Sequence, residues 1–191
     1  KTLYRENLLK VIPTVEDNKL KGLLHYNLAN SFRADGEFQK AIKYYILSKR
    51  LEPDYKNRDY WWFELGGCFF LVGRYKCSEK CYRQAYRLGK NYKQKRFEPL
   101  IFALTGDTLF FQGRFKEAEE YFERFLENSE EIESEFYLKY LIVKKILRNF
   151  EIKFRKPQLA VELIEKAIDY EREGKDPLPL FEEAIRIDPL C

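Results

Sequence analysis

Between Leu23 and Tyr55 the apolar residues recur at helical spacing, stop at one glycine, and begin again. His25, Leu28, Ala29 and Phe32 fall on one face of the first stretch, and Phe38, Ala41, Tyr45 and Ser48 on one face of the second. Residues three and four apart share a helix face, so the spacing predicts two amphipathic helices. Gly36 supplies the left-handed conformation that ends the first at low steric cost. Pro53 ends the second, because it cannot continue the hydrogen-bond ladder. The small residues Ala29, Ala41 and Ser48 are expected where the two helices cross, with Phe32, Phe38 and Tyr45 filling the space beside them.

The pattern then returns. Residues 59–92 place Trp62, Leu65, Gly66 and Phe69 before Gly73, and Tyr75, Ser78, Tyr82 and Ala85 after it. Residues 99–132 place Phe102, Gly106 and Leu109 before Gly113, and Phe115, Ala118, Phe122 and Phe125 after it. The turn glycines lie 37 and then 40 residues apart. Ahead of these units, residues 1–20 form a leading helix or cap that stops at Pro13, with Asp17 and Asn18 as candidate N-caps for the next helix. Behind them, residues 133–191 read as degenerate helices: a long one over 133–150, another started by Pro157, a break at Gly174, and a last one through Phe181 and Ala184 to Pro189. Two registers stay open there, a fourth unit over 133–170 or one over 158–190.

The residues of 22–55, 59–92 and 99–132 resemble the tetratricopeptide repeat (TPR), with small, aromatic, glycine and proline positions in the repeat's order. The resemblance implies an all-α fold, a right-handed superhelical solenoid of antiparallel helix pairs, with residues 1–191 as one repeat domain. It also implies that a protein or peptide segment binds in the concave groove lined by the first helices. Transferred residue by residue, that groove comprises Tyr26, Asn27, Asn30 and Arg33 of the first unit. The second unit contributes Tyr60, Phe63, Glu64, Gly67 and Phe70, and the third Leu100, Ala103, Leu104, Asp107, Phe110 and Phe111. Substituting alanine for both Phe63 and Phe110 is expected to abolish groove binding and spare folding. Repeats of this family that hold the acidic C-terminal tails of chaperones use a Lys-x-x-x-Asn pair, an Asn and a Lys-x-x-x-Arg pair. At those places stand Tyr26 with Asn30, Glu64, and Leu100 with Leu104. Only Asn30 matches, and Glu64 would repel a carboxylate.

Charge changes this picture at one place. The net charge of +4 conceals 15 basic against 5 acidic residues over 39–96, and 14 against 21 over 97–191. Lys76, Lys80, Arg83, Arg87 and Lys90 form a basic stripe on one helix, continued by Lys93, Lys95 and Arg96. The alternative function is therefore anion or nucleic-acid contact through Lys76–Arg96. The next unit has Lys116, Glu120, Glu123, Glu127 and Glu130 at the equivalent places, so pairing of the two stripes is expected. The one histidine, His25, occupies a packing position, and no phosphate loop or nucleophile–base pattern occurs. No enzymatic activity and no cofactor are expected. Cys77 and Cys81 lie one helical turn apart without further ligands in view, so no metal site is expected and the thiols point to a reduced, cytoplasmic setting. No apolar run is long enough to span a membrane. Lys1 as first residue and the lack of methionine suggest a part of a larger protein. Solenoid ends expose apolar edges, which leaves homo-oligomerisation open.

Overall fold

The computed structural model describes residues 2–89, 98–130, 132–153 and 157–187. Regular structure among them is helical: α1 (Thr2–Val11), α2 (Asn18–Ala34), α3 (Phe38–Leu51), α4 (Asp59–Leu71), α5 (Tyr75–Gly89), α6 (Glu98–Phe110), α7 (Phe115–Asn128), α8 (Ser134–Lys153), α9 (Pro157–Arg172) and α10 (Leu178–Ile187). They fall into two compact units, Lys1–Val143 and Lys144–Cys191.

In the first unit α2 pairs with α3, α4 with α5 and α6 with α7, and α3–α4 and α5–α6 contacts join the pairs. Each pair turns at a glycine with positive φ, at Gly36, Gly73 and Gly113. Asp17 caps α2 by accepting a hydrogen bond from the Leu20 backbone N–H at 2.6 Å. A short 3₁₀ turn through Pro13 follows α1, and another from Pro53 to Asn57 follows α3. Helices α4 and α6 are apolar nearly all round, as befits helices covered on several sides, whereas α5 and α7 carry a polar outer face.

The crossing rule holds in all three pairs. Ala29 and Tyr45 are fully buried together in the first core cluster. Gly66 lies under the Tyr82 ring, and Gly106 lies under the Phe122 ring. A Cβ on Gly106 would stand 2.8 Å from Phe122 Cε1, so Gly106→Ala should cost about 1–3 kcal/mol through overpacking. Gly67 has more room, since a Cβ there would meet nothing closer than the Tyr82 hydroxyl at 3.7 Å. Gly67→Ala should therefore stabilise by roughly 0.5–1 kcal/mol through helix propensity. Urea unfolding of the two variants should shift the midpoint in opposite directions.

Hydroxyls on the second helices tie each pair to the next. Ser48 Oγ donates to the Tyr45 carbonyl at 2.7 Å and accepts from Trp61 Nε1 of α4 at 3.1 Å. Ser78 Oγ donates to the Gly66 carbonyl at 2.9 Å and lies 3.5 Å from Thr108 Oγ1 of α6. In the second unit α9 and α10 pack together around a turn at Gly174, again with positive φ, and Ala160, Ala167 and Ala184 are buried.

Candidate functional site

The residues expected to line a groove sit on α2, α4 and α6, the first helices of their pairs, except Phe111, which follows α6 in the turn toward α7. Between α2 and α4 they do more than line a surface. Tyr26 Oη donates to Glu64 Oε2 at 2.8 Å, and Arg33 Nη2 lies 3.5 Å from Glu64 Oε1. Tyr45, from α3, donates to Asn30 Oδ1 at 2.6 Å and accepts from Arg33 Nε at 3.2 Å. Tyr26 stacks on Tyr55 at 5.2 Å and meets Tyr60 edge-on at 5.7 Å. Burial raises the Glu64 carboxyl above its ordinary range, opposed by the hydrogen bond from Tyr26 and the nearby Arg33 charge. Burial likewise raises the Tyr26 and Tyr45 phenols, so both remain protonated donors. Asn27 is half-buried beside this network, and Arg33 is exposed.

At α6 the outcome differs between positions. Phe110 and Leu104 are half-buried and Phe111 is 48% exposed. Phe111, just past the end of α6, stacks on Tyr75 of α5 at 5.2 Å and meets Phe70 of α4 edge-on at 5.5 Å, in one aromatic cluster. Ala103 and Asp107, by contrast, are buried, which removes both from any surface a partner could touch. Lys139 of α8 covers Asp107, its Nζ lying 2.7 Å from Oδ2, while Oδ1 is buried without a hydrogen-bond partner in the structure. Lys139 was missed from sequence because no repeat position marks it; its role comes from α8 packing beside α6. Phe63 is half-buried against Tyr82 and Phe110 against Phe111 and Phe115. The expectation that losing both rings spares the fold is corrected on that ground, since each contributes packing.

On α5, Lys76, Lys80 and Arg87 are exposed and Arg83 is half-buried; Lys90 and residues 91–96 lie outside the described residues. Among the described residues, what joins α5 to α7 is a compact cluster. Glu79 receives Arg83 at 2.9 Å and Arg114 at 2.7 Å, Arg114 also holds Glu117, and Arg83 comes within 3.9 Å of Glu117. Arg83 further donates to Tyr121 Oη at 2.9 Å. Cys77 is exposed, but Cys81 is buried, its thiol pushed up to about 12 by burial, as is that of Cys68.

A family model described as tetratricopeptide repeat matches residues 24–59, and a second of that description matches residues 102–131. These two segments are tetratricopeptide repeats. Solved TPR structures share its helical-repeat fold. The TPR2AB domain of yeast Sti1 in its pHSP90 complex aligns with a TM-score of 0.64 at 17% identity, covering 88% of this chain and 64% of that one. YrrB, titled a TPR protein with an unusual peptide-binding site, aligns at 0.55 and 18% identity over 97% of this chain and 94% of its own. The first TPR of Spaghetti (RPAP3), bound to the HSP90 peptide SRMEEVD, aligns at 0.55 and 18% identity over 68% and 95%. Among the described residues of this TPR chain, no helix is long and apolar enough to cross a membrane.

Proposed function

We propose that this TPR chain is a protein-interaction module holding a peptide or helical segment along the first-helix face of α2, α4 and α6, by apolar anchoring rather than by clamping an acidic terminus. The observation that carries the reading is the half-buried Glu64 carboxylate on that face, held by Tyr26 and Arg33. Like charges brought together cost energy, so a ligand carboxylate is turned away there. Aromatic surface remains beside it at Tyr60, Phe63, Phe70 and Phe111, suited to an apolar side chain flanked by polar contacts at Asn27 and Arg33. In the same reading α2–α3, α4–α5 and α6–α7 are the working repeats, and α9–α10 is a degenerate one.

Peptide-display selection against the full chain tests this. Selected peptides should carry apolar anchors and keep their affinity at high salt, whereas phosphate-type contacts weaken steeply. Asn27→Arg, which fills the face with a charged chain, and Phe111→Ala, at the exposed ring, should each weaken binding at least tenfold with little change in urea midpoint. The peptide SRMEEVD should show no saturable binding. Selected peptides that ignore both substitutions, or tight binding of SRMEEVD, would rule the proposal out.

A further inference from the structure

Away from the first-helix face, α5, α6 and α7 enclose a cleft of about 230 Å³ lined by Arg83, Tyr86, Arg87, Ile101, Phe102 and Tyr121. Its walls are aromatic: Tyr86 and Phe102 lie 5.1 Å apart, and Phe102 and Tyr121 6.4 Å. The cations of its lining, Arg83 and Arg87, both come from α5, and a third, Arg124, lies against its rings from α7. Arg83 is oriented by Glu79 and by its hydrogen bond to Tyr121 Oη. Arg87 follows one turn later on α5 and is exposed, meeting no carboxylate among the described residues. Arg124 of α7 lays its guanidinium over Phe102 at 4.3 Å and over Tyr121 at 5.5 Å.

We infer that this cleft is a second binding site, independent of the groove, for a phosphorylated aromatic ring of the kind a phosphotyrosine side chain presents. The volume sets the size: a cavity of about 150 Å³ holds a benzene ring, which leaves room here for one compact head group. The walls take the ring, by stacking and edge contacts. The charge selects the head. Glu79 and Glu117 offset Arg83 and Arg114, leaving Arg87 in the lining without a carboxylate among the described residues and Arg124 beside it over the Phe102 and Tyr121 rings. Two cations match the roughly −1.5 to −2 of a phosphate monoester at neutral pH better than a single carboxylate. Arginine forks also suit phosphate oxygens geometrically. The basic stripe seen in the sequence thus contains a discrete pocket at Arg83 and Arg87, while Lys76 and Lys80 stay outside its lining.

The experiment is an amide chemical-shift titration of the full chain with phenyl phosphate and, separately, with N-acetyl phosphotyrosine amide. Both should give saturable shifts centred on α5, α6 and α7. Phenol, benzoate and inorganic phosphate should each bind at least tenfold more weakly than phenyl phosphate. Arg87→Gln, at an exposed position where folding is not at stake, should weaken phenyl phosphate at least tenfold, and Lys76→Gln should change it less than twofold. Equal affinity for inorganic phosphate, or equal losses in the two variants, would reduce the site to diffuse surface charge and overturn the inference. Benzoate binding as tightly as phenyl phosphate overturns the head-group assignment, and absence of saturable shifts overturns the site.

Discussion

Trp61→Ala should lower stability by about 4 kcal/mol, at the upper end of large-to-small core substitutions. Trp61 is 0% exposed and stands at the junction where α3 hands over to α4. Its ring meets Tyr45 edge-on at 6.4 Å and Trp62 at 4.8 Å, with Lys49 Nζ 5.0 Å above it, and its N–H is satisfied by Ser48. Truncation removes all of these at once and leaves a cavity between two repeats rather than inside one. In a repeat protein that location matters, because stability is the sum of each repeat's own stability and the interfaces between neighbours. Weakening one interface should uncouple the α1–α3 end from α4–α7. The expected result is a broadened or two-step urea transition, with fluorescence of Trp62 and far-UV circular dichroism no longer coincident. Ser48→Ala, which leaves the Trp61 N–H buried and unpaired, should cost roughly 1–3 kcal/mol, less than the truncation. If Trp61→Ala unfolds in one sharp transition at the wild-type midpoint, the α3–α4 junction is not what couples the repeats.

The helix pairs were legible in the sequence because their determinants are local. Gly36, Gly73 and Gly113 each act through their own backbone conformation, and Gly66 and Gly106 through contact with an aromatic in the adjacent helix of the same pair. A spacing pattern captures both. The first-helix location of Tyr26, Phe63 and Phe110 was readable for the same reason, since position in the repeat sets where in the helix pair a residue falls. Contacts between repeats were not. Tyr26 meets Glu64 across 38 positions of chain, and nothing in either neighbourhood announces the other. Ala103 and Asp107 carry the pattern of groove positions, yet they are buried, and Lys139 holds Asp107. The aromatic cleft beside Arg83 likewise needs α5, α6 and α7 together, so the sequence shows only its cations, as a stripe.

Lys139→Ala should cost about 3 kcal/mol at neutral pH, because it strands a buried carboxylate without its counter-charge. Asp107 is 4% exposed, and burial already raises its carboxyl above the ordinary range even with Lys139 opposing. Without the lysine the rise becomes larger. A carboxyl whose pKa is higher folded than unfolded binds more protons in the native state, so folding loses stability as pH increases through that interval. The deficit of Lys139→Ala should therefore be largest at pH 7 and shrink as pH falls toward the unfolded carboxyl's value near 3.8, below which Asp107 is neutral in both states. The paired variant Asp107→Leu, Lys139→Met should return to within about 1 kcal/mol of the native chain, since an apolar pair of similar volume replaces two desolvated charges and an unpaired Oδ1. Urea midpoints at pH 7 and pH 4 separate the cases. A deficit that is the same at both pH values would mean that Lys139 contributes packing over Phe111 and Phe136 instead of charge. The pair also bears on binding. Where α8 is released from Asp107, the carboxylate comes within reach of a ligand, and Lys139→Ala should then favour peptides with a basic side chain that native repeats do not select.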